Sequence, residues 1–132
     1  MILDNFVKMA VTAAADKKAE EIVILDVREV CSFTNTLVIC QGRSGRQVQT
    51  ITKAIRDTLR ENGCRPHHVE GERKGEWILL DYLDFVIHVF VEERRQFYAL
   101  EHLWGDAPRL EWTPPRLEAP GGGDVASTRT GS

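Results

Sequence analysis

The sequence has too few cysteines, in the wrong arrangement, for a disulfide framework or a structural zinc site: Cys31, Cys40 and Cys64 form an odd set with no C-x-x-C pair. A reducing cytoplasm is the expected setting. Long apolar runs are also missing. No segment approaches the ~20 apolar residues that span a bilayer, and the N-terminal stretch carries Asp4 and Asp16 where a signal peptide would be apolar. A soluble protein with no membrane partner is expected. Positive charge is not in excess either: 17 Lys and Arg against 20 Asp and Glu give a formal charge of -3. Such a chain lacks the basic field that holds a phosphate backbone, so neither general RNA binding nor a sequence-specific nucleic-acid partner is expected.

At 132 residues the chain is long enough for one hydrophobic core. Ile2, Phe6, Met9 and Ala13 recur at helical spacing and predict a helix from about Asp4 to Glu20. "EIVILDVR" and "TNTLVICQG" follow as β-branched runs of strand length, each expected to be buried on both faces. Val48, Ile51, Ile55 and Leu59 then make one stripe, Ser44 and Gln47 have the spacing of a capping box, and Gly63 suits the left-handed C′ position. "HHVEG" reads as a short strand and "GERKGE" as a hairpin loop. "WILLDY" and "DFVIHVFV" are two further strands joined by a tight turn around Leu83. In the second, Val86, His88 and Phe90 share a face.

From Glu92 the pattern turns helical and ends at Gly105, with Phe97, Leu100 and Leu103 as core positions. Four of the five prolines lie at Pro108 and beyond, followed by "GGG". This divides the chain into a folded domain, 1–108, and a flexible tail, 109–132, disordered from about Thr113. The element order predicts an α/β fold: a mixed sheet flanked by helices.

The titratable residues do not assemble into a recognised catalytic pattern. His67 and His68 are adjacent and point to opposite faces of a strand, and neither they, His88 nor His102 has ligand spacing, so no metal is expected. "GRSG" opening a helix is reminiscent of nucleotidyltransferases, but their D-x-D or D-x-E pair is missing after it, and Asp81 and Asp84 straddle a hairpin. "GRSG" also lacks the length and lysine of a phosphate-binding loop, so no cofactor is expected. Cys40 reads as core, and Cys31 and Cys64 have no evident base beside them. For His88 two compatible readings stand: a histidine held by a carboxylate such as Asp81 or Asp84, or part of an interface. What remains is an aromatic and acidic cluster, Trp77, Asp81, Tyr82, His88, Phe90, Tyr98, Glu101 and Trp104, whose amphipathic members suit a docking face.

"EIVILDVR", "LVICQGRSGRQVQTI", "VEG" and "EWILLDYLDFVIHVFVEERRQFYALEHLWGDAP" closely resemble the Iojap family of bacterial ribosomal silencing factors. The likeness runs from about Leu3 to Pro108. Its most specific parts are W-x-x-x-D at Trp77 and Asp81, V-H-V at His88, and R-x-x-Y-x-L-E-x-L-W from Arg95 to Trp104. The resemblance implies a nucleotidyltransferase-like core without catalytic acids, and no enzymatic activity. It further implies binding to the large ribosomal subunit through its protein fourteen, a block on subunit joining, and repression of translation in starvation. The matched surface positions are Trp77, Asp81, Asp84, His88, Tyr98, Glu101 and Trp104, and a homodimer is compatible with the family. A nucleotide-binding protein or residual nucleotidyltransferase is the alternative. The chain departs from the family at Asn35, Thr36 and Leu37, where an Asp-led triplet is usual, at Gly45, often Asp or Ser, and at Leu83, commonly glycine. The last departure predicts a leucine held at positive φ.

Overall fold

The computed structural model describes residues 4–93 and 108–110. Its elements are α1 (Asn5–Asp16), β1 (Glu20–Asp26), β2 (Thr36–Gly42), α2 (Gly45–Glu61), β3 (His68–Glu70), β4 (Trp77–Asp81) and β5 (Phe85–Val91). The five strands form one mixed sheet in the order β1-β2-β5-β4-β3. β2 and β5 run parallel at its centre, and the other neighbours are antiparallel. This is the α/β architecture the sequence predicts. Helical backbone begins at Glu92 and Glu93, while the rest of the expected helix up to Gly105 lies outside the described residues.

The apolar alternation along the strands sorts side chains onto two faces. Ile24, Val38, Cys40, Ile78, Leu80, Ile87 and Val89 pack with α1 and α2 in one buried cluster. Leu25, Leu37, Ile39, Val86 and Phe90 form a second cluster on the opposite face. The expected grouping of Val86, His88 and Phe90 follows from the register, which sets Val86 opposite Asp81, His88 opposite Leu79 and Phe90 opposite Trp77.

α2 is built as its sequence dictates. Val48, Ile51, Ile55 and Leu59 are buried, each apolar side chain contributing roughly 1.5–3 kcal/mol of burial. The Ser44 hydroxyl accepts from the Gln47 N–H at 3.1 Å. Gln47 reaches back one residue further than a capping box would, accepting from the Arg43 N–H at 2.7 Å. Its amide also donates to the Lys17 and Lys18 carbonyls, tying the start of α2 to the end of α1. At the far end Gly63 has φ 84, and the Gly63 and Cys64 N–H groups close onto the Arg60 and Leu59 carbonyls.

Three departures from the sequence reading have physical causes. α1 stops at Asp16 instead of Glu20, because Lys18 takes the left-handed C′ role at φ 69. The Lys18 and Ala19 N–H groups then satisfy the Ala15 and Ala14 carbonyls. β1 is only partly buried, unlike β2, which is buried throughout: β1 stands at the edge of the sheet and carries a bulge between Glu20 and Val23, with Glu21 at φ 51. Finally, Arg109 and Leu110, assigned by composition to the tail, sit along that edge. The Asp26 N–H donates to the Pro108 carbonyl and the Leu110 N–H to the Ile24 carbonyl, both at 2.8 Å, so the unpaired edge of β1 is covered there.

Candidate interaction face

The sheet face opposite α1 and α2 carries most of the described cluster. Trp77 opens β4 half-buried, with its indole stacked on Phe90 at a centroid separation of 5.3 Å and an interplanar angle of 25°. The Trp77 Nε1–H donates to His88 Nδ1 at 2.9 Å. An indole nitrogen only donates, so Nδ1 must present its lone pair and the imidazole proton resides on Nε2. His88 is buried, and burial pushes its pKa down to about 4; the ring is neutral at physiological pH.

This corrects the expectation of a carboxylate partner for His88. Asp81 lies opposite Val86, two pairs further along the ladder, and its Oδ1 accepts from the Leu83 N–H at 2.9 Å. Asp84 lies beyond the turn, exposed, with its carbonyl accepting from the Asn35 and Thr36 N–H groups at 3.0 and 3.3 Å. The histidine therefore orients an aromatic side chain and not the acids of the hairpin.

Two further expected members have a different place. Tyr82 is buried on the helix side, stacked on Phe85 with centroids 4.9 Å apart. Burial raises its phenol to about 12, and its hydroxyl has no hydrogen-bond partner among the described residues. Alternation already carried that signal: Trp77, Leu79 and Asp81 occupy one face, which sends Tyr82 to the other. Phe90 is fully buried, a floor beneath Trp77 and not a contact surface. Tyr98, Glu101 and Trp104 lie outside the described residues.

The part of this face open to solvent is therefore the β3–β4 side, where Trp77 and Asp81 stand beside His68 and Glu70. His68 pairs with Asp81 across the ladder, and its Nε2 lies 2.6 Å from Glu70 Oε2. β3, a strand by its sequence, also adds charge to this face. At the adjoining end of the sheet, Phe33 is 73% exposed and Val30 51%, two residues that the sequence marks only as apolar letters in the loop "VCSF".

The geometry elsewhere is that of paired surface charge. A cleft of about 370 Å³ beside α2 is lined by Lys53, Arg56, Asp57, Arg60 and Glu72. Asp57 holds Lys53 at 2.6 Å and Arg60 at 3.0 Å, while Glu72 holds Arg56. Burial raises the Cys64 thiol, which keeps it protonated and poorly nucleophilic. Among the described residues no group of three or more His, Cys, Asp or Glu side chains is placed to hold a metal ion, and no helix is long and apolar enough to cross a membrane.

Fold and site together define a small α/β protein whose distinctive side chains stand on the sheet face opposite α1 and α2, with buried apolar and aromatic groups at its centre and partly exposed Trp77 and Asp81 on its β3–β4 side. The family profile described as ribosomal silencing factor during starvation matches residues 3–130. The ribosomal silencing factor RsfS of Bacillus subtilis is 41% identical over 104 residues, covering 79% of this chain and 88% of that one. The chloroplastic protein Iojap of Zea mays is 32% identical, over 81% of this chain and 46% of its own. A crystal structure of a Chromobacterium violaceum protein superposes with a TM-score of 0.76 at 31% identity, covering 87% of this chain and 92% of that one. The chain belongs to the ribosomal silencing factor family, to which the Iojap proteins are related.

Proposed function

We propose that the chain is a non-catalytic cytoplasmic factor that binds the large ribosomal subunit through that subunit's protein fourteen, prevents the subunits from joining and lowers translation in starvation. Family membership supports the ribosome as the partner. The observation that carries the site is the solvent-facing stretch of β4: Trp77 is held in one orientation by Phe90 and His88, and Asp81 lies on the same side next to His68 and Glu70. An indole fixed before binding loses little rotamer freedom on docking, and carboxylates around it favour a basic partner surface. Asp84, Tyr98, Glu101 and Trp104 belong to the proposed contact, with His88 and Phe90 as supports beneath it. In the free state we propose a homodimer. No observation among the described residues favours the alternative of a nucleotide-binding enzyme.

Sedimentation with purified subunits tests the reading. The chain should pellet with large subunits and not with small ones. Asp81→Lys should weaken that binding at least tenfold at low salt, equivalent to about 1.4 kcal/mol, with the deficit shrinking as salt screens the repulsion. Equal pelleting of the wild type with both subunits would refute the reading, as would magnesium-dependent transfer from a labelled nucleoside triphosphate.

A further inference from the structure

The large apolar side chains most exposed in the described structure are Val30, Phe33 and Leu83, at 51%, 73% and 56%. They are far apart in sequence but belong to one end of the sheet. β1 ends at Asp26 and β4 at Asp81, and β2 and β5 begin at Thr36 and Phe85. The register aligns Asp26 with Thr36, Thr36 with Phe85 and Asp81 with Val86. The β1–β2 loop and the β4–β5 turn therefore meet here, stitched together by the Asn35 and Thr36 N–H groups donating to the Asp84 carbonyl.

The end surface is preformed. Within the loop, the Val27 N–H donates to the Asn35 carbonyl at 2.9 Å, and the Val30 and Cys31 N–H groups donate to the Val27 carbonyl at 3.1 and 2.8 Å. In the turn, Leu83 has φ 72, its N–H is taken by the Asp81 carboxylate, and the Asp84 N–H closes onto the Tyr82 carbonyl at 2.9 Å. A leucine at that dihedral is strained where a glycine would not be, and here the strained side chain points an apolar group at water. Among the described residues, the loop and turn that frame the patch carry the carboxylates of Asp26, Glu29, Asp81 and Asp84, with Arg28 among them and Arg109 beside Leu25 at its margin. Arg28 is itself engaged by Asp26.

We propose that this sheet end is a second contact of the same docking surface: an apolar patch of Phe33, Val30 and Leu83 inside an acidic rim, seating a basic protein surface that presents an apolar depression. The inference rests on the proposed function and deepens it, naming the ribosomal-protein partner, and not ribosomal RNA, as the group recognised here. The carboxylate rim repels a phosphate backbone and attracts lysine and arginine. The patch continues the Trp77 and Asp81 face, since Asp81 belongs to both. Large apolar side chains exposed at one end of a hydrogen-bonded frame are a common mark of a protein contact.

The test is a titration of large subunits, and of their isolated protein fourteen, with wild type, Phe33→Ser and Leu83→Gly. Phe33→Ser should weaken binding to both at least tenfold and leave the unfolding midpoint unchanged, because the ring is solvent-exposed. Leu83→Gly should weaken binding several-fold while raising the unfolding midpoint, a split that general destabilisation does not produce. Wild-type binding retained by both variants overturns this inference and leaves the proposed function standing. A change confined to self-association, or a loss of affinity for subunits stripped of protein fourteen, overturns it too. If the wild type itself binds neither large subunits nor the isolated protein, both readings fall together.

Discussion

His88 is a neutral imidazole used as a hydrogen-bond acceptor, and that role has a pH signature. Its folded-state pKa, pushed down to about 4 by burial, lies below the ~6.5 of an unfolded histidine. Between those values the unfolded chain binds the proton and the folded chain does not, so stability falls as pH drops from about 6.5 towards 4, by up to roughly 3 kcal/mol. Urea melts of the wild type and His88→Phe at pH 7 and pH 5 check this. The variant should be less stable at pH 7, since it leaves the Trp77 N–H without its acceptor, and it should lose much less on acidification than the wild type. The sequence placed His88 on the correct face with Phe90 but paired it with the wrong partner. Strand alternation fixes a face, whereas the Trp77 bond depends on a register between β4 and β5 that no local pattern specifies. Leu83 was legible in a different way: the family it resembles commonly has glycine at that position, which implied a positive φ, and the leucine has φ 72.

The β3–β4 hairpin carries Trp77, and its geometry depends on the residue that leaves β3. Gly71 has φ 84, and a Cβ there would stand 2.0 Å from the Trp77 carbonyl oxygen, a backbone atom that cannot move without shifting β4. Gly63 has the same φ of 84 with nothing within 4 Å. The pair separates dihedral strain from collision. Gly63→Ala should cost about 1 kcal/mol, and Gly71→Ala at least about 3 kcal/mol, read from denaturant midpoints. Gly71→Ala should also weaken large-subunit binding in the fraction that folds, since it displaces the residue that bears the indole. At this scale α2 was readable from stripe to caps, because Ser44, Gln47 and Gly63 are chemically specific signals. The end of α1 was not, because a lysine performs at residue 18 what glycine performs at residue 63. The partial exposure of β1 was likewise hidden: its apolar run at 22–25 resembles that of β2 at 37–40, and sheet order is what separates an edge from a centre.

For the molecule as a whole, a net charge of -3 and a mixed sheet with α1 and α2 on one side and Trp77 and Asp81 on the other suit the proposed role of occupying a surface. The fold class was legible because it follows from apolar alternation and the order of the elements. The extension over Phe33 was not, because a loop residue's exposure depends on contacts from the turn after β4. Under the proposed function, occupancy of the large subunit prevents subunit joining, and light scattering reads this directly. Purified large and small subunits are mixed at a magnesium concentration that supports joining, with the chain added to the large subunits beforehand. The joined fraction should fall with increasing chain and approach zero at saturation, while Asp81→Lys at the same concentration should leave joining near the untreated level. Unchanged joining at a concentration that saturates the large subunit would contradict the account.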